Sequence, residues 1–171
     1  MNNKKAKTII GWTVGLVVAV GVVYGLIVLS RQQSGQEWPG QAYPILGVQH
    51  ISVGASHPAY NSNPPTSGWH YAQPANWGVH QTELPDEQVL HNLEHGGVWI
   101  SYKEIDDATK AALEKIGRAN SQIIVAPRLA NDAPIALASW GRLQKLEQFD
   151  ETAIMNFIKA NKNRSPEPFG P

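Results

Sequence analysis

His91 and His95 stand four residues apart in the stretch PDEQVLHNLEH, residues 85–95. On a helix that spacing projects both imidazoles from one face, about a turn apart, where they can chelate one ion. Glu94 lies between them, giving His-x-x-Glu-His, the inverted zinc-hydrolase pattern in which the glutamate activates a metal-bound water. Hydrolysis needs a third ligand, and none is obvious downstream of His95. The remaining histidines, His50, His57, His70 and His80, all lie upstream. His70 is the first choice for a third ligand, because it follows Asn61-Ser62-Asn63-Pro64-Pro65-Thr66-Ser67-Gly68-Trp69, whose prolines and glycine hold a loop in one shape. His57 is the next choice. Asn92 and Glu94 flank the histidine pair and can orient an imidazole through its second nitrogen.

Each of these residues also has a plainer reading. Asn61, Ser67 and their neighbours can hydrogen-bond their own backbone in turns, and the histidines can satisfy buried carbonyls. Trp69 and Trp77 can wall a sugar or cation site, although aromatics in a small domain more often fill its core. Arg142, together with Arg128, can clamp an anion or a terminal carboxylate, or simply pair with acids such as Glu94 or Glu104.

Composition narrows the chemistry further. The 171 residues contain no cysteine, which removes disulfides, thiolate metal sites, iron–sulfur clusters and cysteine nucleophiles. Histidine and carboxylate remain as ligands, and they suit Zn(II) or Cu(II) rather than Cu(I). Formal charge is zero, but Lys4, Lys5 and Lys7 sit at the extreme N-terminus, so eleven basic residues face fourteen acidic ones from Arg31 onward. A mildly acidic chain without a basic stripe offers nucleic acid little attraction.

The elements that must position these residues can be read along the chain. Residues 9–29, IIGWTVGLVVAVGVVYGLIVL, carry no charge and are long enough for a helix to cross a bilayer. The three preceding lysines place residues 1–8 in the cytoplasm and the rest of the chain outside, on an uncleaved single-pass anchor in the cell membrane. The spacings Gly11/Gly15 and Gly21/Gly25 would let two such helices approach as a homodimer. Residues 30–44 read as a polar linker, 45–164 as the extracytoplasmic domain, and 165–171 as a flexible tail.

Within the domain, Ile45 to Val53 reads as a half-buried strand, and residues 54–84 as a long, ordered, aromatic loop. A short helix spans 85–95, ended by Gly96-Gly97. A strand follows at 98–102, a helix at 106–118, two strands at 122–126 and 134–140 that can form a hairpin, and an amphipathic helix at 150–161. This order gives an α+β domain with a small sheet, mixed or mainly antiparallel, and about three helices.

Three stretches carry a resemblance. Tyr60 to His70 (YNSNPPTSGWH), His91 to Gly97 (HNLEHGG) and Ala138 to Arg142 (ASWGR), in that order, resemble the bacterial family catalogued as domain of unknown function 3105. Members of that family are similar in having an N-terminal membrane segment. The resemblance marks Asn61, Pro64, Pro65, Ser67, Gly68, His70, His91, Asn92, Glu94, His95, Gly96, Gly97, Trp140 and Arg142 as signature positions. It implies no activity, and it leaves His50 and His80 outside the signature.

Three functions are therefore expected to compete. One is a divalent-metal-binding domain with Zn(II) or Cu(II) held by His70, His91, His95 and His57 or Glu94. A second is a metal-dependent hydrolase with Glu94 as its catalytic base. A third is a cell-envelope interaction module without metal.

Overall fold

The computed structural model of the chain describes residues 20–24 and 38–167. Residues 20–24 are helical, and the rest of the expected membrane segment, 9–29, lies outside the described residues. Among the described residues no helix is long and apolar enough to cross a membrane. The compact unit that carries the histidines begins at Pro39.

That unit is built on a six-stranded mixed sheet. Its strands are β1 (Gln41–Ala42), β4 (Gly78–Val79), β5 (Val98–Tyr102), β6 (Ile123–Pro127), β7 (Ile135–Ser139) and β8 (Arg142–Leu146), in the spatial order β1-β8-β7-β5-β6-β4. A separate parallel pair joins β2 (His50–Ile51) to β3 (His70–Tyr71). The helices are α1 (Asp86–Glu94), α2 (Asp107–Ala119) and α3 (Glu151–Asn161).

Side-chain alternation on the central strands sorts the core into two layers. On β5, Val98, Ile100 and Tyr102 face α2 and α3, where they pack with Leu113, Ile116, Ile154, Phe157 and Ile158. Trp99, on the opposite face, packs with Val89, Leu90 and Leu93 of α1. Ala136 and Ala138 of β7 lie on this second face, so the layer gains its bulk from Trp99, Trp140 and the helix.

Three expectations change. The hairpin between 122–126 and 134–140 does not form, because β5 lies between β6 and β7 and pairs with both. Instead β5, α2 and β6 make a parallel crossover unit, for which a connection containing a thirteen-residue helix is long enough. The hairpin partner of β7 is β8, reached through Trp140 and Gly141, which takes a left-handed φ of 69°. Residues 41–42, expected within a linker, form the edge strand beside β8, and the long strand at 45–53 is reduced to His50–Ile51.

Candidate metal centre

Helix α1 delivers two of the histidines, His91 from its last turn and His95 from its C-cap. Pro85 precedes it, and Asp86 and Glu87 occupy its first turn, where carboxylates complement the helix dipole. It stops in a Schellman arrangement: Gly96 N–H donates to the Leu93 carbonyl at 3.0 Å and Gly97 N–H to the Asn92 carbonyl at 2.9 Å, with Gly96 at φ 81°. The glycine pair thereby fixes the helix end beside His91 and His95. Gly97 also permits close packing, since a Cβ there would lie 2.5 Å from the Trp77 ring.

The β2–β3 pair delivers two more. His50 and His70 are register partners, so their side chains share a face of this small sheet. The loop before β3 is held by signature residues and their neighbours. Asn61 Nδ2 donates to the Pro44 carbonyl at 2.7 Å, Ser67 Oγ accepts from Leu46 N–H at 3.1 Å, and Gly141 N–H donates to the Thr66 carbonyl at 2.9 Å. Gly68, at φ 128°, passes so close to Tyr60 that a Cβ would lie 2.9 Å from its ring.

Four imidazoles and one carboxylate meet where these elements join. The His50 and His91 rings stack at 4.8 Å, His70 meets His91 edge-on at 5.2 Å, and His91 lies 4.7 Å from His95. Glu94 Oε2 is 3.0 Å from His70 Nε2 and 3.6 Å from His50 Nε2, while His91 Nε2 is 2.8 Å from His95 Nε2. His70, His91, Glu94 and His95 are buried, and only His50 is well exposed, at 49% of its side chain. Trp140 closes one side with its ring edge-on to His70 at 6.2 Å.

The backbone sets the tautomers. His70 Nδ1 lies 2.7 Å from the Gly68 carbonyl and His91 Nδ1 lies 2.7 Å from the Tyr71 carbonyl. A carbonyl can only accept, so both Nδ1 atoms carry hydrogen and both Nε2 atoms are turned inward. His70 Nε2 then faces Glu94 Oε2 at 3.0 Å, a contact that either a proton or a shared cation bridges. Burial pushes the His91 pKa below its ordinary value; the hydrogen bond to Tyr71 opposes this, and neighbouring His70, His95 and His50 reinforce it. The neutral, ligating form is favoured.

Donor atoms of His50, His70 and His91 lie within 4.8 Å of one another, as do those of His91, Glu94 and His95. Ligands about 2 Å from one ion lie about 3–4 Å apart, so a small contraction brings either set into ligating distance. His91 belongs to both sets and has a single free nitrogen, so it can serve only one ion at a time.

The other expected site residues lie elsewhere. His57 Nδ1 donates to the Pro58 carbonyl at 2.8 Å and its Nε2 lies 3.3 Å from Glu87 Oε1, so it belongs to neither set. Asn92 orients no imidazole: its amide makes two 2.9 Å bonds to the backbone of Ala75, joining α1 to the aromatic loop. Trp69 is half-buried, its carbonyl taking the Tyr60 hydroxyl at 2.7 Å. Arg142 donates to the Gly40 carbonyl at 2.8 Å. Arg128 pairs with Asp86, through two bonds of 2.7 Å, rather than with Glu94 or Glu104.

The sequence pattern of the family described as "Protein of unknown function (DUF3105)" matches residues 52–170. The chain belongs to this family. The match spans His57, His70, His91, Glu94 and His95 and begins two residues after His50. No curated protein and no solved structure matches the chain.

Proposed function

We propose that this member of the family is a divalent-metal-binding domain, taking Zn(II) or Cu(II) through His70, His91 and His95, with His50 and Glu94 completing the ligand set. The observation that carries the reading is the pair of carbonyl bonds to Nδ1 of His70 and His91. Metal-bound histidines usually donate their second ring nitrogen to such an acceptor, which fixes the ring and its tautomer. Nitrogen-rich ligation without thiolate suits both ions, and zinc accepts four or five such donors with least demand on geometry.

Glu94 supports binding over catalysis. A hydrolytic base must present an oxygen to metal-bound water, whereas Glu94 is buried with Oε2 against His70 and His50. The apolar run at 9–29 and its preceding lysines support a single-pass anchor with the metal domain outside the cell.

The test is metal analysis of the purified chain. Wild type is expected to carry one ion, and a His91→Ala/His95→Ala double variant none. Full metal content in the double variant would end the proposal. If metal-loaded wild type turned over peptides or esters and Glu94→Gln abolished that turnover, the site would be a hydrolase.

A further inference from the structure

Of the three buried histidines of the cluster, His95 lacks the carbonyl partner that orients His70 and His91. His95 Nδ1 is buried and has no hydrogen-bond partner among the described residues. The nearest charged acceptor is Glu167 Oε2, at 3.7 Å, a few tenths of an ångström beyond hydrogen-bond range.

Glu167 reaches this position because the chain after α3 turns back over the end of α1. Asn163 N–H donates to the Gly96 carbonyl at 2.8 Å, and Glu167 N–H to the Glu94 carbonyl at 3.3 Å. Helix ends leave carbonyls without partners inside the helix, and the bond to Glu94 satisfies one of them. Gly96 makes the approach possible, since a Cβ there would lie 2.9 Å from Asn163 Cα. Residues 165–167, expected within a flexible tail, are thus placed against the candidate site by main-chain hydrogen bonding.

We propose that Glu167 is a positioning residue, the outer carboxylate that accepts from His95 Nδ1, and that residues 163–167 form a strap closing the α1 end of the metal site. The proposal rests on the metal-binding reading. When an ion replaces the hydrogen bond between His91 Nε2 and His95 Nε2, the His95 proton is held on Nδ1 and accepted by Glu167, and both Nε2 lone pairs can take the ion. Glu167 gives His95 what the Gly68 and Tyr71 carbonyls give His70 and His91, with the addition of a negative charge that raises the basicity of the ring.

The experiment compares full-length wild type, Glu167→Gln and Glu167→Ala for Zn(II) affinity by chelator competition, for the Cu(II) absorption spectrum, and for zinc-free thermal stability. Glu167→Ala is expected to bind Zn(II) about 10–100-fold more weakly. Glu167→Gln, whose amide oxygen can still accept, should fall between. The Cu(II) band should shift in both, while zinc-free stability stays at the wild-type level because the Glu167 side chain is 62% exposed. Wild-type affinity and spectrum in Glu167→Ala would overturn the proposal, as would an affinity loss matched by an equal loss of zinc-free stability. Failure of wild type itself to bind Zn(II) or Cu(II) would instead remove the metal-binding reading, and this inference with it.

Discussion

His91 Nδ1 lies 2.7 Å from the carbonyl oxygen of Tyr71, the residue that follows His70 in β3. A side chain from the last turn of α1 is thereby locked to the strand that carries another member of the cluster. The same bond turns His91 Nε2 inward, so the link that joins two elements also aims a ring nitrogen at the cluster.

His50 and His57 exchange the places expected of them, and this can be tested directly. His57→Ala should leave metal content and affinity unchanged, since its ring nitrogens engage Pro58 and Glu87. His50→Ala should weaken binding while leaving the buried members in place, because His50 is the exposed one. Chelator competition on both variants checks the prediction.

Metal removal should lower thermal stability. An ion that binds only the folded state adds RT ln(1 + [L]/Kd), about 2.7 kcal/mol at a hundredfold excess over Kd. For a domain of this size that corresponds to a midpoint shift on the order of 10 °C. Thermal unfolding with and without chelator measures it, and no shift would favour a metal-free interaction module.

The metal-free chain should lose stability as pH falls below about 6.5, the ordinary value for histidine. His91 titrates lower in the folded state than in the unfolded one, chiefly through burial. Between the two values the unfolded chain binds the extra proton, so stability is full above the unfolded value and declines as pH drops toward the folded one. Urea unfolding between pH 5 and pH 8, at about half-unit steps, reads the slope. Metal affinity should fall over the same range, because the ion competes with protons for the same nitrogen.

Arg128→Ala should cost about 1.5–3 kcal/mol, the range for hydrogen bonds to a charged group, because Arg128 is buried but Asp86 is only half-buried. Arg128 binds both carboxylate oxygens of Asp86 at the start of α1, also bonds Asn131, and lies over the Trp99 ring at 5.7 Å. It reaches Asn63 of the proline loop as well, so metal affinity should drop along with stability. Denaturant unfolding, with chelator competition on the same variant, checks both.

Much of the site was legible in local sequence. The four-residue spacing of His91 and His95, acids at the start of α1 and Gly96-Gly97 at its end define a helix that presents two imidazoles on one side. These are short-range effects, settled by helical pitch, the helix dipole and the left-handed φ of a glycine. His70 was legible too, because prolines and a glycine stiffen the loop before it. Most helices and central strands likewise follow from apolar periodicity, as the α+β class does.

Tertiary structure alone decided which distant residues meet. His50 joins the cluster only because a two-residue strand pairs in register with β3, a hydrogen-bonding choice between segments twenty residues apart that periodicity does not encode. His57 is drawn to Glu87, and Glu167 reaches His95 only through the turn after α3. Strand order was hidden for the same reason. The sequence places β6 and β7 next to each other, but the thirteen-residue helix between β5 and β6 allows a parallel crossover that puts β5 between them. Sequence by itself determined which residues could ligate and which local elements carry them. The convergence of those elements depended on long-range pairing and burial, whose free energy belongs to contacts between segments and not to any one of them.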